Sequence, residues 1–212
     1  HGATVLHFAW IDDFAAARNF AASNASSKYL LVLDADERLA DGAGEAIREM
    51  LDTADFDIGL IPLHQAETRH SSLADVVNGD ARRGSPILLP RILRNAPEMN
   101  YVGAVHEQPG FGQKQLKYSM INANVVHHGA DPQWRASRQK NDRNLDLLLE
   151  HIEGFQDLPL YWAYLASELS HAGRNEEMLD AIEKGWAAVK ANIDKGIICA
   201  DSAIASIYPG LL

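Results

Sequence analysis

A single cysteine, Cys199, is all the thiol this 212-residue chain carries. No internal disulfide can brace the fold, a usage that fits a reducing compartment. No stretch approaches the roughly 18 consecutive apolar residues of a membrane-spanning helix, and the N-terminus has no signal-peptide pattern. Basic residues are the minority, 19 Lys and Arg against 29 Asp and Glu, for a formal charge of −10. That balance repels a phosphate backbone, and the basic residues cluster only at Arg82-Arg83, which argues against a nucleic-acid partner. A Gly-x-Ser-x-Gly elbow is missing and Cys199 lies far in sequence from any histidine, so nucleophilic catalysis has little support. What remains is a globular composition, 47% hydrophobic and 23% charged, at a length for one large domain or two small ones.

The first 63 residues alternate in character. Thr4 to Phe8 is β-prone. Asp12 or Asp13 can cap a helix carrying Phe14, Ala17, Arg18, Ala21 and Ala22 at helical spacing. Tyr29 to Leu33 is a continuous apolar run of strand length, as expected for a strand covered on both faces. Asp41 looks like the cap of a helix reaching Leu51, and Asp57 to Leu63 reads as another buried strand. This rhythm is that of an α/β layered domain. Residues 65–88 are polar, with Gly79, Gly84 and Pro86, and read as a long loop of the kind that often binds ligands. Leu88 to Leu93 and the alternating run Lys117 to His127 read as strands. After Asp131-Pro132 the chain turns helical: a long helix with Trp134, Leu145, Leu148 and Leu149, then helices over 158–172 and 175–192 parted by Gly173-Arg174. Their spacing approaches one tetratricopeptide-type (TPR-like) hairpin, and plain packing helices are the simpler reading. The expected division is 1–130 and 131–212.

Three groups could do chemistry. Asp34-Ala35-Asp36 places two carboxylates just past a strand, where both reach one hard divalent cation and where open α/β sheets place ligands. The similar Asp55-Phe56-Asp57 precedes its strand, at the wrong edge, and reads as surface or capping carboxylates. His106-Glu107 offers a Glu that could take a proton from a hydroxyl nucleophile; the alternative is a strand-end salt bridge with Arg91 or Arg94. His127, ending a strand, could add a nitrogen ligand to a metal or simply be hydrogen-bonded.

Taken in order, several segments resemble the family 2 glycosyltransferases, in particular a bacterial branch with a helical tail. They are Trp10 to Asn19, Tyr29 to Glu37, Arg91-Ile92-Leu93-Arg94-Asn95, Tyr101 to Glu107, and Val126-His127-His128-Gly129 followed by an Arg143-Asn144-Leu145 helix. Five blocks in the family's order across about 135 residues are far more specific than any one alone.

The resemblance implies a partial GT-A type α/β fold, a mixed sheet flanked by helices, followed by an all-α C-terminal helical hairpin region. It implies sugar transfer from a nucleotide-sugar donor to an acceptor hydroxyl with inversion, and Mn²⁺ or Mg²⁺ held by Asp34, Asp36 and His127. Asp36 is then the direct ligand, with Asp34 nearer the ribose or sugar. Glu107 becomes the catalytic base, and Arg18, Asn19, Asp34, Arg94 and His106 the donor-binding residues. The acceptor is a glycan, a lipid-linked sugar or a protein, and a homo-oligomer is compatible with this reading. A cytoplasmic enzyme, free or at the inner membrane face, is expected. The family's first strand and its Asp-x-Gly-Ser-Thr-Asp type loop have no counterpart, so the chain is expected to be the C-terminal portion of the enzyme. Competing readings are a non-catalytic helical interaction module and a nucleotidyltransferase on a similar sheet.

Overall fold

A computed structural model of the chain describes residues 2–110, 115–129 and 140–195. These fall into two compact units. One takes in the described residues of His1–Ala9, Ala16–Val102 and Gln108–Arg138, the other those of Trp10–Ala15, Gly103–Glu107 and Gln139–Leu212.

The first unit is a mixed sheet with helices. In chain order its elements are helix α1 (Phe14–Ser23, whose first two residues group with the second unit), β1 (Tyr29–Leu31), β2 (Glu37–Leu39), α2 (Ala43–Asp52), β3 (Ile58–Ala66), α3 (Leu73–Asn78), β4 (Arg82–Arg94), β5 (Asn100–Val102), β6 (Gln108–Gly110), β7 (Tyr118–Met120) and β8 (Val125–His127). The main sheet runs β1-β4-β3-β8-β2, with β7 also paired to β3, and β5-β6 form a separate ribbon. Strand β3 is central. It pairs antiparallel with β4 and parallel with both β7 and β8. Its residues Ile61 and Leu63 are at most 2% exposed and meet Ile92, Ile121 and Val125 in the core. Each such side chain contributes roughly 1.5–3 kcal/mol of burial.

The sheet corrects several expectations. Thr4 to Phe8 forms no strand; it pairs with no other described strand and leaves Val5 74% exposed. The run from Tyr29 is a three-residue strand at one end of the sheet, with Leu31 turned outward, rather than a strand covered on both faces. The supposed loop over 65–88 is the end of β3, the short helix α3 and the outer half of β4. Ser72 caps α3, its hydroxyl accepting from the Asp75 amide at 3.1 Å. The run from Lys117 to His127 is two strands, β7 and β8, laid end to end along β3. Gly42, in a left-handed conformation, stands at the N-cap of α2 in place of Asp41.

The second unit is helical: α4 (Lys140–His151), a 3-10 turn (Ile152–Phe155), α5 (Pro159–His171) and α6 (Asn175–Asp194). Pro159 opens α5, where its missing N–H costs nothing. Helices α5 and α6 pack through Leu165, Leu169, Ala181, Ile182 and Val189, while Leu145 and Leu148 bring in α4. Val105 and Phe14 join this same core. The expected helix start at Asp131-Pro132, Trp134 and Cys199 lie outside the described residues. No helix among the described residues is long and apolar enough to cross a membrane.

Candidate functional site

Between β1 and β2 the chain turns through Asp34-Ala35-Asp36, closed by the Glu37 amide donating to the Asp34 carbonyl at 2.9 Å. Asp34 is gripped from two sides. Arg18 of α1 donates to Oδ1 at 2.7 Å, and Arg91 of β4 donates to Oδ2 at 3.1 Å. Burial opposes charge on Asp34, but the two guanidiniums prevail and hold its carboxyl below the ordinary value. Glu37, with only 2% of its side chain exposed, is ion-paired with the same Arg91 and accepts the Asp34 backbone N–H at 3.1 Å. Burial pushes its carboxyl upward against the pull of Arg91.

Asp36 faces β8 instead. Strands β2 and β8 pair with Glu37 opposite His127, and the His128 amide donates to the Asp36 carbonyl at 2.9 Å. This register sets Nε2 of His127 3.4 Å from Oδ2 of Asp36. The other ring nitrogen, Nδ1, lies 2.6 Å from Oε1 of Gln65, on β3. An amide oxygen only accepts, so Nδ1 donates to Gln65 and Nε2 is the ring nitrogen that faces Asp36. Gly129 borders the pair: a Cβ there would come within 2.6 Å of His127 Nε2 and 2.9 Å of Asp36 Cγ. Its bare backbone leaves the space open.

A carboxylate and an imidazole held by the Gln65 oxygen make a donor set that suits Mn²⁺ better than Mg²⁺, since Mg²⁺ favours oxygen alone. Among the described residues, no group of three or more His, Cys, Asp or Glu is gathered as a complete metal cage. A cation held here would draw its remaining ligands from substrate or water. Beside this cluster, α1 and β1 border a cleft of about 460 Å³ lined by Arg18, Ala22, Tyr29, Leu31, Leu33 and Tyr101.

Other expected site residues are placed differently. Asn19 spends its amide on the backbone of Tyr101, donating to the carbonyl at 2.9 Å and accepting the N–H at 2.7 Å. Arg94 is bound to Asp55 at 2.9 Å and to Asp57 at 3.2 Å. Asp57 is 1% exposed and also accepts the Lys117 N–H at 3.0 Å, so it is a buried anchor and not a surface carboxylate. Its partner Asp55 is exposed, as expected.

His106 and Glu107 belong to the helical unit. His106 has a left-handed backbone, φ 53, and its ring stacks on Tyr164 at 4.3 Å. Its Nε2 is 3.3 Å from Oε1 of Glu168. Burial, with Tyr164 and the nearby charges of Glu107 and Asp13, raises the Tyr161 hydroxyl far above its ordinary value. Sequence reasoning missed Glu37, Gln65 and Glu168. Glu37 directly follows the paired aspartates and could have been found; Gln65 and Glu168 carry no local signal.

The sequence profile of glycosyl transferase family 2 matches residues 1–130. Two similar proteins are the SPbeta prophage-derived glycosyltransferase SunS of Bacillus subtilis and glycosyltransferase SunS of Bacillus phage SPbeta. Each is 25% identical over 179 residues, which cover 82% of this chain and 39% of the relative. A TPR repeat-containing protein of Synechococcus elongatus is 33% identical over 109 residues, 50% of this chain and 23% of that protein. The chain thus spans about two-fifths of the length of the SunS relatives. By the profile match this chain belongs to glycosyl transferase family 2.

Proposed function

We propose that this family 2 chain forms the metal-binding and base-bearing part of an inverting glycosyltransferase that uses a nucleotide-sugar donor. The observation that carries the reading is the pairing of Asp36 with a His127 oriented by Gln65, beside the Arg18-Asp34-Arg91 cluster. Asp36 and His127 would hold Mn²⁺. When bound, that cation neutralises the charge developing on a diphosphate leaving group. Asp34, ionised and held by Arg18 and Arg91, would lie on the ribose or sugar side of the donor.

Glu107 is the base. It takes the proton of the acceptor hydroxyl as that oxygen attacks the anomeric carbon. The bond from that carbon to the phosphate oxygen breaks, and the electron pair leaves with the nucleoside diphosphate. Attack from the face opposite the leaving group inverts the anomeric configuration. The helical unit, TPR-like in its α5–α6 pair, is the natural place for acceptor choice, whether glycan, lipid-linked sugar or protein. We place the enzyme in the cytoplasm, free or at the inner membrane face.

The test is to incubate the intact protein with Mn²⁺ and UDP-glucose, UDP-galactose, UDP-N-acetylglucosamine or GDP-mannose. Release of nucleoside diphosphate, abolished by EDTA, is expected with at least one donor. Release of pyrophosphate would indicate a nucleotidyltransferase instead. No metal-dependent turnover of any nucleotide sugar would sink the reading.

A further inference from the structure

The segment that carries Glu107 is built into the helical unit. Val105 is 6% exposed within the core of α4, α5 and α6. Gly103, at φ 98, lies so close to Tyr161 that a Cβ would come within 2.8 Å of the ring. Between them and Glu107 stands His106, stacked on Tyr164 and hydrogen-bonded to Glu168. Helix α5 therefore supplies three contacts to a loop of five residues.

Glu168 is the unusual member. It is 9% exposed on α5, and its Oε1 accepts from Nδ2 of Asn144 at 3.3 Å as well as meeting His106. A carboxylate in such a place carries a desolvation cost that an apolar side chain would avoid. Burial works against its charge, and His106, Asn144 and the more distant His171 reverse the balance and lower its carboxyl below the ordinary value. Packing of α5 on α6 needs no such group, since the other buried positions of α5 carry no charge. The left-handed backbone of His106 is strained, and such conformations persist where the surroundings enforce them. Here the enforcing contacts are the Tyr164 stack and the Glu168 bond. Because Glu107 follows His106 directly, the backbone of His106 sets the direction in which Glu107 leaves the loop.

We propose that Glu168 is a positioning residue for sugar transfer, fixing His106 and through it the carboxylate of Glu107. The proposal rests on the reading of Glu107 as the base. It makes the helical unit part of the catalytic apparatus, with the Asn144-Glu168-His106 chain as the connection.

The test uses the intact protein with Mn²⁺ and whichever donor of the panel above turns over fastest. Glu168→Met keeps helix propensity and an apolar fit but removes the acceptor; Glu168→Gln keeps the acceptor. His106→Asn, which tolerates a left-handed backbone, removes the same bond, together with the Tyr164 stack, from the loop side without changing a helix residue. Glu168→Met and His106→Asn should each lower kcat roughly 10- to 100-fold, the range expected when a reacting group is misplaced by about 1 Å. The donor KM should stay within about two-fold, and Glu168→Gln should restore most of the rate. Glu107→Gln combined with Glu168→Met should be no slower than Glu107→Gln alone, because the two act as one unit. Wild-type kcat in a folded Glu168→Met or in His106→Asn would overturn the proposal, as would losses that multiply in the double variant. Failure of the base reading shows separately, as an undiminished kcat in Glu107→Gln alone.

Discussion

Gln65 holds His127: its Oε1 sits 2.6 Å from Nδ1 of the imidazole and decides which nitrogen faces Asp36. Metal-bound histidines characteristically pass their second N–H to such an acceptor, and losing it costs 10- to 100-fold in metal affinity or activity. Gln65→Leu should therefore weaken Mn²⁺ binding by about 10- to 100-fold, measured by titration calorimetry. An unchanged affinity would show that the Gln65 bond is only a packing feature.

Gly129 tests the same space from the other side. A methyl group there would press on both Asp36 and His127. Gly129→Ala should destabilise the chain by about 1–3 kcal/mol through overpacking and should also lower Mn²⁺ affinity. Thermal unfolding and calorimetry together check this; normal stability with normal Mn²⁺ binding would refute the crowding argument.

Asp57 carries a stability prediction independent of the metal site. It is buried, bonded to Arg94 and to the Lys117 amide, and ties β3 to both β4 and the start of β7. Asp57→Ala leaves the Lys117 amide without its acceptor and Arg94 with Asp55 alone, and should cost on the order of 3 kcal/mol in chemical denaturation. A loss below about 1 kcal/mol would place the pair among weak surface contacts.

Two buried glutamates pull stability in opposite directions with pH. Glu168 has a lowered carboxyl, so its contribution is fully present above the unfolded value, near 4.5, and is lost as pH falls through the folded one. Glu37 has a raised carboxyl, so its contribution is present below the unfolded value and is lost as pH rises through the folded one. Glu168→Gln should flatten the acid loss of stability of the helical unit, and Glu37→Gln should steepen the net loss. Denaturation midpoints taken from about pH 7 to pH 3 read both signs; matching slopes in the two variants would contradict the assignment.

The legible parts of the sequence were those with a period or an ordered motif. Helices α1, α5 and α6 announce themselves through apolar residues at helical spacing, and β3 through a buried run. The outer half of β4 did not. From Arg83 to Leu88 it is exposed, so Arg83, Ser85 and Pro86 look like loop residues although the strand pairs with β3 through Arg83, Ile87 and Leu88. Tyr29 to Leu31 is apolar enough for a central strand, and only the pairing order puts it at an end of the sheet.

The candidate site divides in the same way. Asp34, Asp36 and His127 could be named because their blocks occur in a family's order. Gln65 was hidden inside a segment read as loop. Glu168 is the one Asp, Glu, Lys or Arg of α5 and reads as a solvent-facing glutamate until the fold buries it beside Asn144 and His106. Arg94 shows the converse: a basic residue in a family block whose bonds go to Asp55 and Asp57.

The central claim is a divalent cation held by Asp36 and His127 for a nucleotide-linked leaving group. Its most direct test is calorimetric binding of UDP and GDP to the intact protein, with Mn²⁺ or with EDTA, for wild type and Asp36→Ala. The account predicts that one nucleotide binds wild type at least roughly ten-fold tighter with Mn²⁺, about 1.4 kcal/mol, and that Asp36→Ala loses this dependence. Equal affinity in EDTA, or a metal dependence that survives Asp36→Ala, would contradict it.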